Sequence, residues 1–117
     1  MDWKDVYKLP LQYDDNGGYV WSENGTMAML FKFDNINYKE EQTFAKNVVD
    51  KLNGNLKIKF DKEFTLHDHT NFNYGDKYVF CVRGLGILTG GAFPLSQDKA
   101  VHIQDGFAKW ILDTLNN

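Results

Sequence analysis

The chain has 117 residues and a formal charge of −3, from 16 acidic residues against 13 Lys or Arg, and 43% of it is hydrophobic. That size supports a single domain, residues 1–117, with one modest core. Mixed charges of slightly acidic balance exclude the basic face that duplex nucleic acid selects. The one cysteine, Cys81, cannot close an internal disulfide, which excludes a disulfide-stapled scaffold and fits a reducing compartment. Met1-Asp2-Trp3-Lys4-Asp5 places charges where a signal peptide needs an apolar run. No later segment is apolar over the length that crosses a bilayer, so a cytoplasmic protein without a membrane partner is expected.

Trp3, Tyr7 and Tyr13 open the chain in a segment of little periodicity, where they suit either interface anchors or covers for a sheet edge. Leu9 to Tyr13 predicts a strand that Pro10 limits to an edge, followed by the turn cluster Asp14-Asp15-Asn16-Gly17-Gly18. Asn24-Gly25 between Tyr19-Val20-Trp21 and Met27 to Phe33 predicts a hairpin closed by a two-residue type I′ turn. That loop pairs Trp21 with Ala28 and Tyr19 with Leu30 on one face, and Val20 with Met29 on the other. Asn37 with Glu40 three residues on predicts a capped helix start. Phe44, Ala45, Val48, Val49 and Leu52 then recur at helical spacing until Asn53-Gly54 stops them.

Leu56, Ile58 and Phe60 alternate with Lys57 and Lys59, which predicts a strand continued by Phe64 and Leu66 after a bend. His67 to Asp76 reads as a polar loop. Lys77 to Arg83 alternates again, with Tyr78, Phe80 and Val82 assigned to the core, and residues 84 to 91 form a glycine-rich turn. A last helix runs from Ser96 to about Leu115 on the stripe Ala100, Ile103, Phe107, Trp110, Ile111 and Thr114, broadened by Ala108, Leu112 and Leu115. Gly106 inside it costs about 1 kcal/mol relative to alanine.

The two long helices end alike. Phe44-Ala45-Lys46-Asn47-Val48-Val49-Asp50-Lys51-Leu52-Asn53 matches Phe107-Ala108-Lys109-Trp110-Ile111-Leu112-Asp113-Thr114-Leu115-Asn116 at six positions, and Tyr19-Val20-Trp21 lines up with Tyr78-Val79-Phe80. Helical cores draw on few residue types, which is one source of such matches; an internal repeat is the other. The expected fold is α+β: an antiparallel sheet of about five to six strands with two helices on one face, in two pseudo-repeated hairpin-helix halves, approximately 9–55 and 56–117.

Val82-Arg83-Gly84-Leu85-Gly86-Ile87-Leu88-Thr89-Gly90-Gly91, with Leu95, Ile103-Gln104-Asp105 and Phe107, resembles a pattern in small proteins of bacteriophages and prophages, an Arg-Gly-x-Gly-x-Leu-Thr-Gly turn before a C-terminal helix. The Asn-Gly hairpin followed by a helix ending in Val-Val-Asp-Lys-Leu-Asn is similar to another element of such proteins. The resemblance implies a setting, a phage accessory gene acting in the cytoplasm of a bacterial host, and no particular reaction.

Three constellations bear on chemistry. His67 and His69 could put two imidazoles on one side of an extended triplet, and zinc would need further ligands from Asp61, Glu63, Asp76 or His102. Histidines beside Asn and Asp equally serve as solvated loop residues. Arg83, Gly84, Gly86, Thr89 and Gly90 could converge backbone donors, a guanidinium and a hydroxyl on an anion or carboxylate. Their glycine spacing is neither the dinucleotide fingerprint nor a phosphate loop, and a turn allowing close packing explains it as well. Cys81 has no histidine near in sequence to act as base, so it reads as a packed residue.

The reading these features favour is a non-enzymatic phage-type accessory protein, without a cofactor, that binds and modulates a bacterial or phage protein, a bacterial defence component being one such target. A small-ligand or metal-dependent enzyme using the His67 to His69 segment or the Arg83 loop stands as one alternative. Single-stranded nucleic-acid binding by exposed aromatics is the other, with the acidic balance against it.

Overall fold

The computed structural model describes residues 2–32, 38–68, 77–80, 86–89 and 96–117. In chain order these form α1 (Trp3–Val6), β1 (Gln12–Asp14), β2 (Tyr19–Trp21), β3 (Met27–Lys32), α2 (Tyr38–Leu52), β4 (Thr65–Asp68), β5 (Lys77–Phe80), β6 (Gly86–Thr89) and α3 (Gln97–Asn116). The architecture is α+β, as expected, with an antiparallel sheet in the order β1-β2-β3-β6-β5-β4.

Cross-strand partners share a face, so the register identifies the core side. Tyr13, Val20, Met29 and Thr89 make one row across the sheet, and Phe31, Ile87, Val79 and Leu66 make the next. Val20, Met29, Phe31, Val79 and Ile87 are buried in one cluster with Ala45, Val48 and Leu52 of α2 and Ile103, Phe107, Ile111 and Leu115 of α3. The two long helices pack on each other and on that side of the sheet.

The helical stripes read from the sequence are the buried faces. Among the residues assigned to them, Ala45, Val48, Val49, Leu52, Ala100, Ile103, Phe107, Ala108, Ile111 and Leu115 are buried. Phe44 and Phe107 differ, however: Phe107 is fully buried, whereas Phe44 is half-buried with its ring against Phe60 and Phe64. α2 ends in a Schellman motif in which Gly54 N–H donates to Lys51 C=O (3.0 Å) and Asn55 N–H to Asp50 C=O (2.8 Å). Ser96 stands at the N-cap of α3, and the cap expected at Asn37 lies outside the described residues.

The hairpin forms with a different loop. Tyr19 faces Leu30 and Val20 faces Met29, but Trp21 pairs with Met27 rather than Ala28. Gly25 N–H donates to Ser22 C=O (3.0 Å), Ser22 N–H donates to Thr26 C=O (2.8 Å), and Gly25 has φ +87°. This is a three-residue loop, a turn over Glu23 and Asn24 followed by a left-handed glycine, in place of the two-residue type I′ turn. The extra loop residue shifts the pairing by one at Trp21 only, and an irregularity between Val20 and Trp21 restores the expected register beyond it. Asn24 is held by side-chain bonds: Ser22 Oγ and Thr26 N–H (3.2 Å) donate to its Oδ1, and its Nδ2 donates to Val6 C=O (3.1 Å).

Four other expectations are corrected. Residues 56–60 form no strand, because they pair with none; the edge is β4, which includes His67 and Asp68, placing them in a strand rather than a polar loop. In β5 the buried position is Val79, which registers with Ile87 and Leu66 and which the alternation assigns to the opposite side; Val82, assigned to the core with Tyr78 and Phe80, lies outside the described residues. The glycine-rich stretch is partly a strand: Gly86–Thr89 runs in the middle of the sheet between β3 and β5. The N-terminal edge strand is Gln12–Asp14, with Leu9 to Leu11 outside it.

The N-terminal segment has its own local cause. Asp2 accepts from Trp3 N–H (2.6 Å) and Asp5 Oδ2 accepts from Asp2 N–H (2.8 Å), a capping box that starts α1. This turn seats Trp3 on α3, with ring centroids 5.3 Å from Phe107 and 4.7 Å from Trp110, and Tyr7 4.3 Å from Phe107. A Cβ at Gly106 would lie 3.0 Å from Trp3 Cδ1, so the glycine inside α3 leaves room for the indole packed against it.

Candidate functional site

Two surfaces of the described structure have the features of binding sites. The first is the sheet face opposite the helices. Tyr19, Leu30, Leu88 and His67 lie in one row there, and Trp21, Lys32 and Thr65 share that side by alternation. Tyr19 is 39% and Trp21 37% exposed, with ring centroids 6.1 Å apart. Short β2 positions both rings, two residues apart on one strand, and Leu30 and Leu88 are half-buried beside Tyr19's row. His67 Nε2 lies 3.0 Å from Thr65 Oγ1, an ordinary polar contact along the edge strand.

The second is an open groove of about 540 Å³ at the C-terminal ends of α2 and α3, lined chiefly by Lys51, Leu56, Lys57, Ile58, Lys59 and Thr114. Lys51 is 92% buried by its stem: Nζ donates to Leu115 C=O (3.2 Å) at the end of α3 and stands 5.4 Å above the Phe60 ring. That bond places a cation on the negative end of the α3 dipole. Lys57 and Lys59 are exposed.

The residues proposed from sequence are not gathered in one described place. Gly86 and Thr89 are buried in β6, paired in register with Lys32 and Met29 of β3, while Arg83, Gly84 and Gly90 lie outside the described residues, as do Cys81 and His69. His67 is at the edge of the sheet and His102 is exposed on α3. Among the described residues, no three His, Cys, Asp or Glu side chains are grouped so as to hold a metal ion. No helix among them is long and apolar enough to cross a membrane.

A buried polar pair lies in the core: Gln104 Nε2 donates to Tyr7 Oη (3.1 Å), and Gln104 Oε1 has no hydrogen-bond partner among the described residues. It ties the N-terminal segment to α3. Sequence reasoning missed the groove because the alternation of Leu56 to Phe60 read as a completed strand. The signal was present, since lysines alternating with aliphatics describe a strand edge whether or not a neighbour is in place.

No protein-family model, no curated protein and no solved structure is significantly similar to the chain.

Proposed function

We propose that the chain is a non-enzymatic recognition module, a phage-type accessory protein, whose open sheet face docks on a bacterial protein such as a defence component. The carrying observation is the pair Tyr19 and Trp21, two large aromatic rings left more than a third exposed on the face that, among the described residues, carries no helix. Rigid aromatics on a strand are strong interface anchors because they offer large contact area with few torsions to freeze. Arg83, Gly84 and Gly90, which lie outside the described residues, remain the sequence-based candidates for reading an acidic group, with Gly86 and Thr89 in β6.

The test is a double variant, Tyr19→Ala with Trp21→Ala, used as bait in a lysate of a bacterial host beside the parent protein. The expected result is an almost unchanged melting temperature and loss of the proteins that the parent captures. Full capture by the folded double variant overturns the face assignment, and full capture by a folded Arg83→Ala protein removes Arg83 from the proposal. The same two rings could stack bases; titration with a labelled single-stranded oligonucleotide distinguishes that reading, for which the acidic net charge is unfavourable.

The two halves also support the proposal of a duplicated plan. The order β1-β2-β3-β6-β5-β4 inverts about the β3 and β6 pair, and each half ends in a helix. Asn53, at the end of α2, accepts from Leu11 N–H (2.7 Å) and donates to Leu11 C=O (2.8 Å). Asn116, at the end of α3, accepts from Phe64 N–H (2.7 Å) and donates to Phe64 C=O (3.0 Å). These asparagines occupy matching positions in the two similar helical segments, and each fastens the residue that leads into an edge strand.

A further inference from the structure

We propose that the groove beside residues 56–60 receives an extended acidic peptide segment of a partner protein, which lies along this segment as an added strand. Three independent observations meet there. The sequence Leu56-Lys57-Ile58-Lys59-Phe60 alternates as a strand does, yet it belongs to no ladder, and among the described residues its backbone N–H and C=O groups make no hydrogen bond. Such a segment is what strand addition uses: the main chain supplies affinity and alternate side chains supply specificity. Its side chains also form one wall of the groove, with Ile58 36% exposed.

The charge is one-sided. Lys51, Lys57 and Lys59 line the groove, no acidic side chain does, and among the described residues none of the three has a carboxylate within ion-pair distance. The end of α3 contributes a partial negative charge of about half a unit, which Lys51 already meets through Leu115. Lys57 and Lys59 therefore stand, among the described residues, without a carboxylate side chain within ion-pair distance, in a protein whose overall charge is −3. A free phosphate would satisfy the lysines alone and leave Leu56, Ile58 and the idle backbone unused. A peptide alternating carboxylate and aliphatic side chains meets all three.

This inference concerns a different surface from the open sheet face and stands if that face binds nothing. The probe is a fluorescein-labelled ten-residue peptide of alternating Glu and Val, titrated into the full chain and followed by anisotropy, with amide hydrogen exchange read at residues 56–60. Expected are saturable binding that weakens as salt rises, new protection of amides between 56 and 60, and at least tenfold weaker binding to the Lys57→Glu, Lys59→Glu variant. That variant keeps the parent melting temperature, because both side chains are exposed. The matched Lys and Val peptide should not bind. Binding unchanged by the charge reversal, binding without amide protection, or displacement of the peptide by inorganic phosphate at equal concentration each overturns the proposal, as does a groove closed by self-association of the chain at the concentrations used.

Discussion

Two segments lead into the edges of the sheet, and each is fastened at its inner end in the same way, by an asparagine at the end of a long helix bonded to both backbone groups of one residue, Leu11 or Phe64. Beyond that point they diverge. Residues 2–7 wind into a capped turn that buries Trp3 and Tyr7 against α3, whereas residues 56–60 carry lysines at alternate positions and leave Ile58 in water. Equal anchoring with unequal burial shows that the clamp sets where a segment enters the sheet, while its own side chains decide how much of it is covered. The first segment completes the core; the second offers an edge.

The sharpest way to break this comparison is through the phenylalanine beneath each segment. Phe107 lies fully buried under Trp3 and Tyr7, so Phe107→Ala should lose about 3 to 5 kcal/mol of stability in denaturant unfolding. Phe44 is half-buried beside Phe60, and Phe44→Ala should lose clearly less. Equal losses would mean that the second segment covers its helix as completely as the first.

The clamps come next. Asn53→Ala and Asn116→Ala each strip a part-buried N–H and C=O of their partners, for a loss of about 1 to 3 kcal/mol. Similar losses would sharpen the comparison, because the clamp is the shared element. A tenfold difference in their effects on the unfolding equilibrium would separate the two edges from the start.

Gly106→Ala carries the smallest effect. Alanine gains about 1 kcal/mol of helix propensity, but its methyl group would meet Trp3 Cδ1 at 3.0 Å. A net stability change near zero or slightly negative is expected, turning positive when Trp3 is also changed to Leu. An immediate full gain in the single variant would show that the indole yields freely.

Much of this fold was legible because it is local. The apolar stripes of α2 and α3 are buried as read, Asn53-Gly54 ends α2, and Tyr19 and Leu30 pair as the hairpin requires. What failed depends on distant neighbours. Lys77 to Arg83 has apolar residues in both phases, so only pairing with Ile87 and Leu66 selects Val79 for the core. Gly86 to Thr89 is a strand because β3 and β5 flank it, a fact no window of the sequence contains. Leu56 to Phe60 alternates correctly and finds no partner. Asp2 and Asp5, at capping-box spacing, were a readable signal for α1 that hydrophobic periodicity alone passes over. Of the two candidate surfaces, alternation put Tyr19 and Trp21 on one face without telling which face the helices cover, and the groove depends on where two helix ends meet.

The contact between Tyr7 and Gln104 spans 97 positions of the chain, and that separation has a consequence for biosynthesis. At elongation rates of about 5 to 20 residues per second, α3 follows the N-terminal turn by roughly 5 to 20 seconds. During that interval Trp3 and Tyr7 lack the helix that covers them. The nascent chain therefore carries this aromatic pair without its cover until α3 is made, so the N-terminal turn gains its burial only after nearly a hundred residues of non-local chain have followed it.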